Sequence, residues 1–334
     1  MIKKKFWYRK NVLITGITGF VGSNLAKQLI SQGANVVGIS KSQKVESLLF
    51  FENIDKKCNL VFGNILDKEL IKNTIRKYNI EICFHLAAQI EVGSAKLYPF
   101  ETWESNIRGT YNFLEAVRTS GINIKAIIMA SSDKAYGEYE EKKMPYKENY
   151  ELKPVFPYDT SKACADMIAR TYSSKLYNLP IIVTRFSNIF GPGQLNFTAL
   201  IPEAIRSCIM NYKFISRSNG KSIRDYVYIE DIVDVYKLLA QNLYKFPKKY
   251  KGQVFNAGTN KKYSTKYIVN KIFLQGNKNS KNIFTRNKKT NGEISIQYMD
   301  YSKLKKHFKW KPKYNFEQVL PSLFVWYKKY LLKK

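Results

Sequence analysis

Cysteine is scarce in this chain and poorly spaced for chemistry: the four residues, at 58, 83, 164 and 208, form no CxxC pair. That speaks against both a structural zinc site and a disulfide framework, so no metal is expected and a reduced, cytoplasmic setting is. Long apolar runs are also missing, and none reaches the length needed to cross a bilayer. The start, Met1-Ile2-Lys3-Lys4-Lys5, imitates the basic region of a secretory leader, but the apolar stretch behind it is short and broken by Gly16 and Gly19. A soluble protein without a membrane partner is the expectation. Internal repeats and low-complexity tracts are absent. Acidic residues are few as well: 26 Asp and Glu against 56 Lys and Arg leave a formal charge of +30 over 334 residues. The lysines are spread along the chain apart from short clusters at Lys3–Lys5 and Lys303–Lys313, and no nucleic-acid-binding module accompanies them. We therefore read a solvated basic surface with no nucleic-acid partner, able to steer a diphosphate toward the protein.

What is present points to a folded enzyme. Hydrophobic residues make up 45% of the chain and aromatics 14%, which excludes extended disorder. The first half alternates short β-rich runs with helical patterns, the signature of βαβ units around a parallel sheet. Strands are predicted at 12–15, 35–39, 60–62, 82–84, 126–129 and 181–184. A helix is predicted over Ser23 to Gln32, with Leu25, Ala26, Leu29 and Ile30 on one face and Gly33 as its stop. The fold class is α/β, a doubly wound parallel sheet with a smaller C-terminal α/β lobe. Residues 1–188 are assigned to the nucleotide-binding domain, to which the chain returns at about 226–258, and residues 189–334 to the smaller lobe. A closing amphipathic helix is expected over 319–332.

Gly16-Ile17-Thr18-Gly19-Phe20-Val21-Gly22 lies between the first strand and the first helix. Glycines there let the chain reverse, admit a pyrophosphate and allow close helix packing, while the helix start offers free N–H groups to the phosphates. The loop is expected to bind a dinucleotide. An acid ending the second strand would grip the ribose of NAD, but Ser40-Lys41 stands in its place. The pair is also suited to a 2′-phosphate, so NAD and NADP both stay open here.

Tyr158 and Lys162 are four apart at a predicted helix start, hence on one face. A cation beside a phenol favours the phenolate that general-base work requires. Together with His85-Leu86-Ala87-Ala88, Asn106-Ile107-Arg108-Gly109-Thr110, the run Arg185 to Gly193 and Arg224-Asp225-Tyr226-Val227, these motifs resemble the extended short-chain dehydrogenase/reductase family over nearly the whole chain. The segment Ser132-Asp133-Lys134 is similar to the Thr-Asp-Lys of CDP-glucose 4,6-dehydratases within that family's nucleotide-sugar branch. Phe6-Trp7, Ala88-Gln89 and Ser161-Lys162-Ala163-Cys164-Ala165 also resemble that subgroup.

The resemblance implies a lyase that oxidises carbon 4 of a nucleotide-linked hexose, expels water across carbons 5 and 6, and returns the hydride to carbon 6. Tyr158 would take the 4-hydroxyl proton and Ser132 would hold that oxygen. Asp133 would donate to the leaving 6-hydroxyl, which requires surroundings that favour its neutral form. Lys134 would act as base, which needs a neutral amine, or stabilise the enolate. Cofactor contacts are implied for Gly16, Thr18, Gly19, Phe20, Val21, Gly22, Ser40, Lys41, Asn64, Ile65, Ala87, Ala88, Gln89, Asn106, Tyr158 and Lys162. Substrate contacts are implied for Gln89, Ser132, Arg185, Asn188 and Arg224. A homodimer through helices near residues 100–118 and 158–175 is a further family expectation. A nucleotide-sugar 4-epimerase shares the loop and the Tyr158/Lys162 pair, and Asp133 and Lys134 speak against it.

Overall fold

The structure is a computed structural model, and it describes residues 6–43, 46–278, 283–285 and 294–333. The chain divides into two compact units. The first gathers residues 1–135, 152–185 and 233–255, and the second 136–151, 186–232 and 256–334.

In the first unit the β-branched runs of the sequence become the strands of one sheet: β1 (Asn11–Thr15), β2 (Asn35–Ser40), β3 (Asn59–Phe62), β4 (Ile82–His85), β5 (Ala126–Ala130) and β6 (Ile181–Phe186). The remaining strands are β7 (Asn188–Phe190), β8 (Phe214–Ser216), β9 (Ile223–Arg224), β10 (Tyr226–Tyr228), β11 (Val254–Ala257), β12 (Tyr263–Ser264), β13 (Ile283–Thr285) and β14 (Ile296–Gln297), all of the second unit except β11, which begins in the first. The large sheet has the order β11-β6-β5-β4-β1-β2-β3, with β1 to β6 paired in parallel. Its central strands are buried and apolar along most of their length because helices cover both faces, as parallel sheets require. Leu13, Cys83, Ile127 and Val183 share one core cluster with Ile71, Phe113, Leu114 and Val117 from helices Lys68–Lys77 and Gly109–Thr119. The order reverses between β1 and β4, and at such a switch point the strand ends leave a crevice for a ligand.

The expected helix after β1 spans Phe20–Ser31, and the closing helix spans Phe316–Leu331. The sequence division at 188 does not contain one crossing: Tyr136–Glu151 belongs to the second unit. Tyr136, stacked on Tyr146 of the same segment at 4.8 Å, ties it there by donating its hydroxyl to Asn256 Oδ1 at 2.8 Å. In the second unit β9 lies between β12 and β14, β10 pairs with β7, and β8 with β13. No helix among the described residues is long and apolar enough to cross a membrane.

Candidate active site

The predicted cofactor residues of the first unit follow the carboxyl ends of successive strands. Gly16, Thr18, Gly19, Phe20, Val21 and Gly22 follow β1, Ser40 ends β2 with Lys41 next, Asn64 and Ile65 follow β3, and Ala87, Ala88 and Gln89 follow β4. Gly16 has φ +71°, and a Cβ there would stand 2.8 Å from Ala87 Cα. The loops after β1 and β4 therefore touch at the switch point. A Cβ on Gly22 would meet the Gly16 oxygen at 2.3 Å, so the glycine lets the helix start beneath the turn. Gly19 caps that twelve-residue helix without a side-chain hydrogen bond, leaving its first N–H groups and positive dipole end for an anion. Gln89 Oε1 is buried with no hydrogen-bond partner, a polar atom that a bound cofactor can satisfy. These residues fit a dinucleotide.

Ser40 is 2% exposed, and its hydroxyl contacts Thr18 Oγ1 at 3.1 Å and donates to the Ser42 carbonyl at 2.9 Å. It is engaged within the protein, whereas Lys41 is exposed. Ile65 is buried against Gly109, and Asn64 accepts from Leu66 N at 3.1 Å. Asn106 is a cross-link. It accepts from Gln89 N at 2.7 Å and donates to Gln89 O and to Ser161 Oγ, each at 2.9 Å. Ser161 in turn donates to the Tyr158 carbonyl at 2.7 Å. Asn106 lies on the π-helical stretch Glu104–Arg108, a widening of the kind often found at functional sites.

The helix Pro157–Tyr172 carries Tyr158 and Lys162 in its first turns. Lys162 donates to the carbonyl of Ala130, the last residue of β5, at 2.6 Å, and burial pushes its ammonium down to about 8. Two residues beyond Ala130, Ser132 makes a side-chain hydrogen bond with Tyr158 that favours the phenolate. Burial acts more strongly and raises the phenol above its ordinary range. Asp133 and Asp159 add to the rise, and the lowering expected from the neighbouring cation does not appear. Ser132 also donates to Asp133 Oδ1 at 3.0 Å and accepts from Lys134 N at 3.2 Å. Asp133 is 4% exposed and Lys134 half-buried.

A fifth group stands here that the sequence reading passed over. Asp159 is 3% exposed, and burial pushes its carboxyl up to about 6. Lys134 opposes that shift, Asp133 adds to it, and Lys96 opposes it from the helix Val92–Leu97. Its only signal was a charged residue at a helix position flanked by Tyr158 and Lys162. Two carboxyl groups, an amine, a phenol and a serine hydroxyl together can move protons at more than one atom of a ligand.

Residues 13–323 match the family model described as GDP-mannose 4,6 dehydratase. The chain belongs to that family. It is 31% identical to a CDP-glucose 4,6-dehydratase of Salmonella typhimurium, over 99% of this chain and 94% of the relative. A crystal structure of dTDP-glucose 4,6-dehydratase from Bacillus anthracis in complex with NAD superposes with TM-score 0.84 at 28% identity, covering 96% of this chain and 97% of that one. A UDP-glucose 4-epimerase from Thermotoga maritima, solved with UDP-glucose, gives TM-score 0.86 at 25% identity over 96% and 99% of the two chains. The backbone of this dehydratase-family chain therefore does not separate dehydration from epimerisation.

The expected substrate residues fall in different places. Arg185, on β6, is 1% exposed and holds Asp166 in a two-pronged ion pair, Nε to Oδ2 at 2.7 Å and Nη2 to Oδ1 at 2.9 Å. Its fork is spent on the helix that carries Tyr158, which corrects its reading as a substrate contact. Asn188 and Arg224 belong to the second unit, on β7 and β9. His85, 3% exposed, is pushed down to about 3 by burial and by Lys162, so its neutral ring is a packing group stacked on Phe113.

Proposed function

We propose that the protein converts an NDP-hexose, with CDP-glucose the first candidate, to the NDP-4-keto-6-deoxyhexose by internal hydride transfer and loss of water. The observation that carries this reading is the cluster of Ser132, Asp133, Lys134, Tyr158 and Asp159 around the end of β5. A 4-epimerase needs one acid–base group at the sugar 4-hydroxyl, which Tyr158 supplies. Further groups able to exchange protons at carbons 5 and 6 have no task in it.

The chemistry that bound NAD supplies is a hydride acceptor at carbon 4 and the same hydride as donor at carbon 6. Tyr158 accepts the 4-hydroxyl proton, and Ser132 donates to that oxygen as it becomes a carbonyl. Oxidation at carbon 4 acidifies the carbon 5 proton, which passes to a base among Lys134 and Asp159. Asp133 gives a proton to the 6-hydroxyl, which leaves as water. The base returns its proton to carbon 5 when carbon 6 is reduced. The proton taken by Tyr158 replaces the one that Asp133 gives up, so atoms, protons and electrons balance with no external oxidant. Gly16, Thr18, Gly19, Phe20, Val21 and Gly22, with Ala87, Ala88, Gln89, Asn106, Tyr158 and Lys162, are the cofactor contacts in this reading.

NAD is preferred to NADP because Ser40 is engaged with Thr18 and Ser42, and because the Bacillus anthracis relative holds NAD. Asn188 and Arg224 hold the diphosphate, the arginine by its planar donor fork. The enzyme works in the cytoplasm as a homodimer. Leu97, Phe100, Trp103 and Met167 support the dimer: they are exposed apolar side chains on helices Val92–Leu97, Pro99–Trp103 and Pro157–Tyr172, with the exposed Tyr98 between the first two.

The test is incubation with CDP-glucose, dTDP-glucose, UDP-glucose, UDP-GlcNAc and GDP-mannose without added reductant. A product lighter than its substrate by one water supports the reading. An isomer of unchanged mass would replace it with epimerisation.

A further inference from the structure

Asp225 is fully buried in the second unit, and its carboxylate gathers donors from two separate places in the chain, the Thr259–Asn260 turn and Met299. Thr259 N–H reaches Oδ1 at 3.0 Å and Oδ2 at 2.9 Å, and the Thr259 hydroxyl donates to Oδ1. Asn260 N–H donates to Oδ2 at 3.2 Å and Met299 N–H to Oδ2 at 3.4 Å. Asn260 takes a left-handed conformation, φ +58°. A Cβ on Gly258 would lie 2.3 Å from Oδ2, so glycine is what lets this turn close over the carboxylate.

The main chain of the same residue holds the other side. The Asp225 carbonyl accepts from Asn188 N at 3.2 Å and from Asn188 Nδ2 at 3.4 Å. Its neighbour Arg224 sits on β9, in register with Tyr263 of β12 and Gln297 of β14. Arg224 Nη1 donates to the Ile223 carbonyl at 2.8 Å and to the Ser295 carbonyl at 3.4 Å. Asp225 is therefore the residue at which β9 passes into β10, the Asn188 strand and the 258–260 turn at once.

We propose that Asp225 is a positioning residue for diphosphate recognition, fixing Asn188 and Arg224 in one frame by clamping the Thr259–Asn260 turn and Met299. The inference rests on the reading of Asn188 and Arg224 as diphosphate contacts. A carboxylate suits the task because every donor around it is an N–H or O–H and it accepts at both oxygens. An amide would turn one of those oxygens into a donor facing donors, and the frame would open.

The experiment measures binding of CDP, UDP, dTDP and GDP by calorimetry to the full chain, with NAD affinity and thermal midpoint determined in parallel. If the wild-type protein binds none of the four, the nucleotide-sugar reading fails and the inference falls with it. Where one binds, Asp225→Asn and Thr259→Val are expected to weaken it tenfold or more. NAD affinity stays within twofold, KM for the nucleotide sugar rises by the same factor, and kcat at saturation stays within threefold. Thr259→Ser, which keeps the hydroxyl, returns the affinity toward the wild-type value. Nucleoside diphosphate binding within twofold of wild type in both folded variants overturns the proposal. So does a parallel loss of NAD and nucleotide binding, or failure of all three variants to fold, since each shows a purely structural residue.

Discussion

Lys162 donates its ammonium to the carbonyl of Ala130 at 2.6 Å, joining the helix that carries Tyr158 to the strand that ends in Ser132, Asp133 and Lys134. The bond spans 32 residues of sequence and sets the phenol beside the Ser132 hydroxyl. Lys162→Met keeps the length of the stem and removes the charge. Initial-rate assays should show kcat reduced about 10²- to 10⁴-fold, the usual weight of an acid–base group. A variant retaining a tenth of wild-type kcat would leave Lys162 a structural role alone.

Asp159 makes the site sensitive to pH in a direction opposite to that of most carboxylates. Its folded pKa, about 6, lies above the unfolded value of ~3.9, so the fold prefers the protonated form. The stabilisation this gives is complete below the unfolded value and is lost as pH rises through about 6. The shift corresponds to about 3 kcal/mol. Asp159→Asn escapes the loss, so its thermal midpoint should gain on wild type between pH 4 and pH 7 and hold a constant lead above that. Equal midpoints at pH 5 and pH 8 would show that the carboxyl is not held neutral by burial. Activity should fall in the same variant, because Lys134 and Asp133 both feel that charge.

The parts of this molecule that repeat a period were legible in the sequence. β1, β2, β4, β5 and β6 are largely apolar runs buried along most of their length, and the loop from Gly16 to Gly22 is recognisable because it stands between a strand and a helix. The Tyr158/Lys162 spacing needed only the geometry of one helical turn. Short pairs such as Ile223–Arg224 with Tyr263–Ser264 were not legible, since two residues carry no alternation. Nor was the Tyr136–Glu151 crossing, which depends on Tyr136 meeting Asn256, 120 residues away. Arg185 was misread for a similar reason: whether a guanidinium meets a ligand or Asp166 is decided by burial. Asp159 was missed because a carboxylate in a first helical turn is ordinary until its neighbours are seen to be Asp133 and Lys134.

Gly22 gives a test of the cofactor loop that does not depend on the substrate. Gly22→Ala would place a methyl group 2.3 Å from the Gly16 oxygen, and backbone there cannot move without displacing Ala87. Overpacking of this kind costs about 1–3 kcal/mol. NAD binding, followed by quenching of tryptophan fluorescence, should weaken at least tenfold and the thermal midpoint should drop. Gly93→Ala is the control, because its Cβ meets nothing within 4 Å and it lies in the helix Val92–Leu97. That variant should gain about 0.5–1 kcal/mol from helix propensity and bind NAD normally. Equal NAD affinities for the two variants would place the pyrophosphate elsewhere.

Asp133 separates the two halves of the proposed reaction. Ser132 and Tyr158 suffice to remove the 4-hydroxyl proton while hydride leaves carbon 4, and neither step uses the Asp133 carboxyl. Loss of the 6-hydroxyl does use it, since water departs only when that oxygen receives a proton. Asp133→Asn cannot give one up. Mixed with NAD and the preferred nucleotide sugar, it should build up the near-ultraviolet absorbance of reduced nicotinamide to about one equivalent per site. Release of the 4-keto-6-deoxy product should slow about 10²- to 10⁴-fold. Under epimerisation the same substitution would leave turnover close to wild type and no reduced cofactor would accumulate. A variant that neither reduces the cofactor nor turns over would mean instead that Asp133 sets the position of Ser132, which donates to it at 3.0 Å.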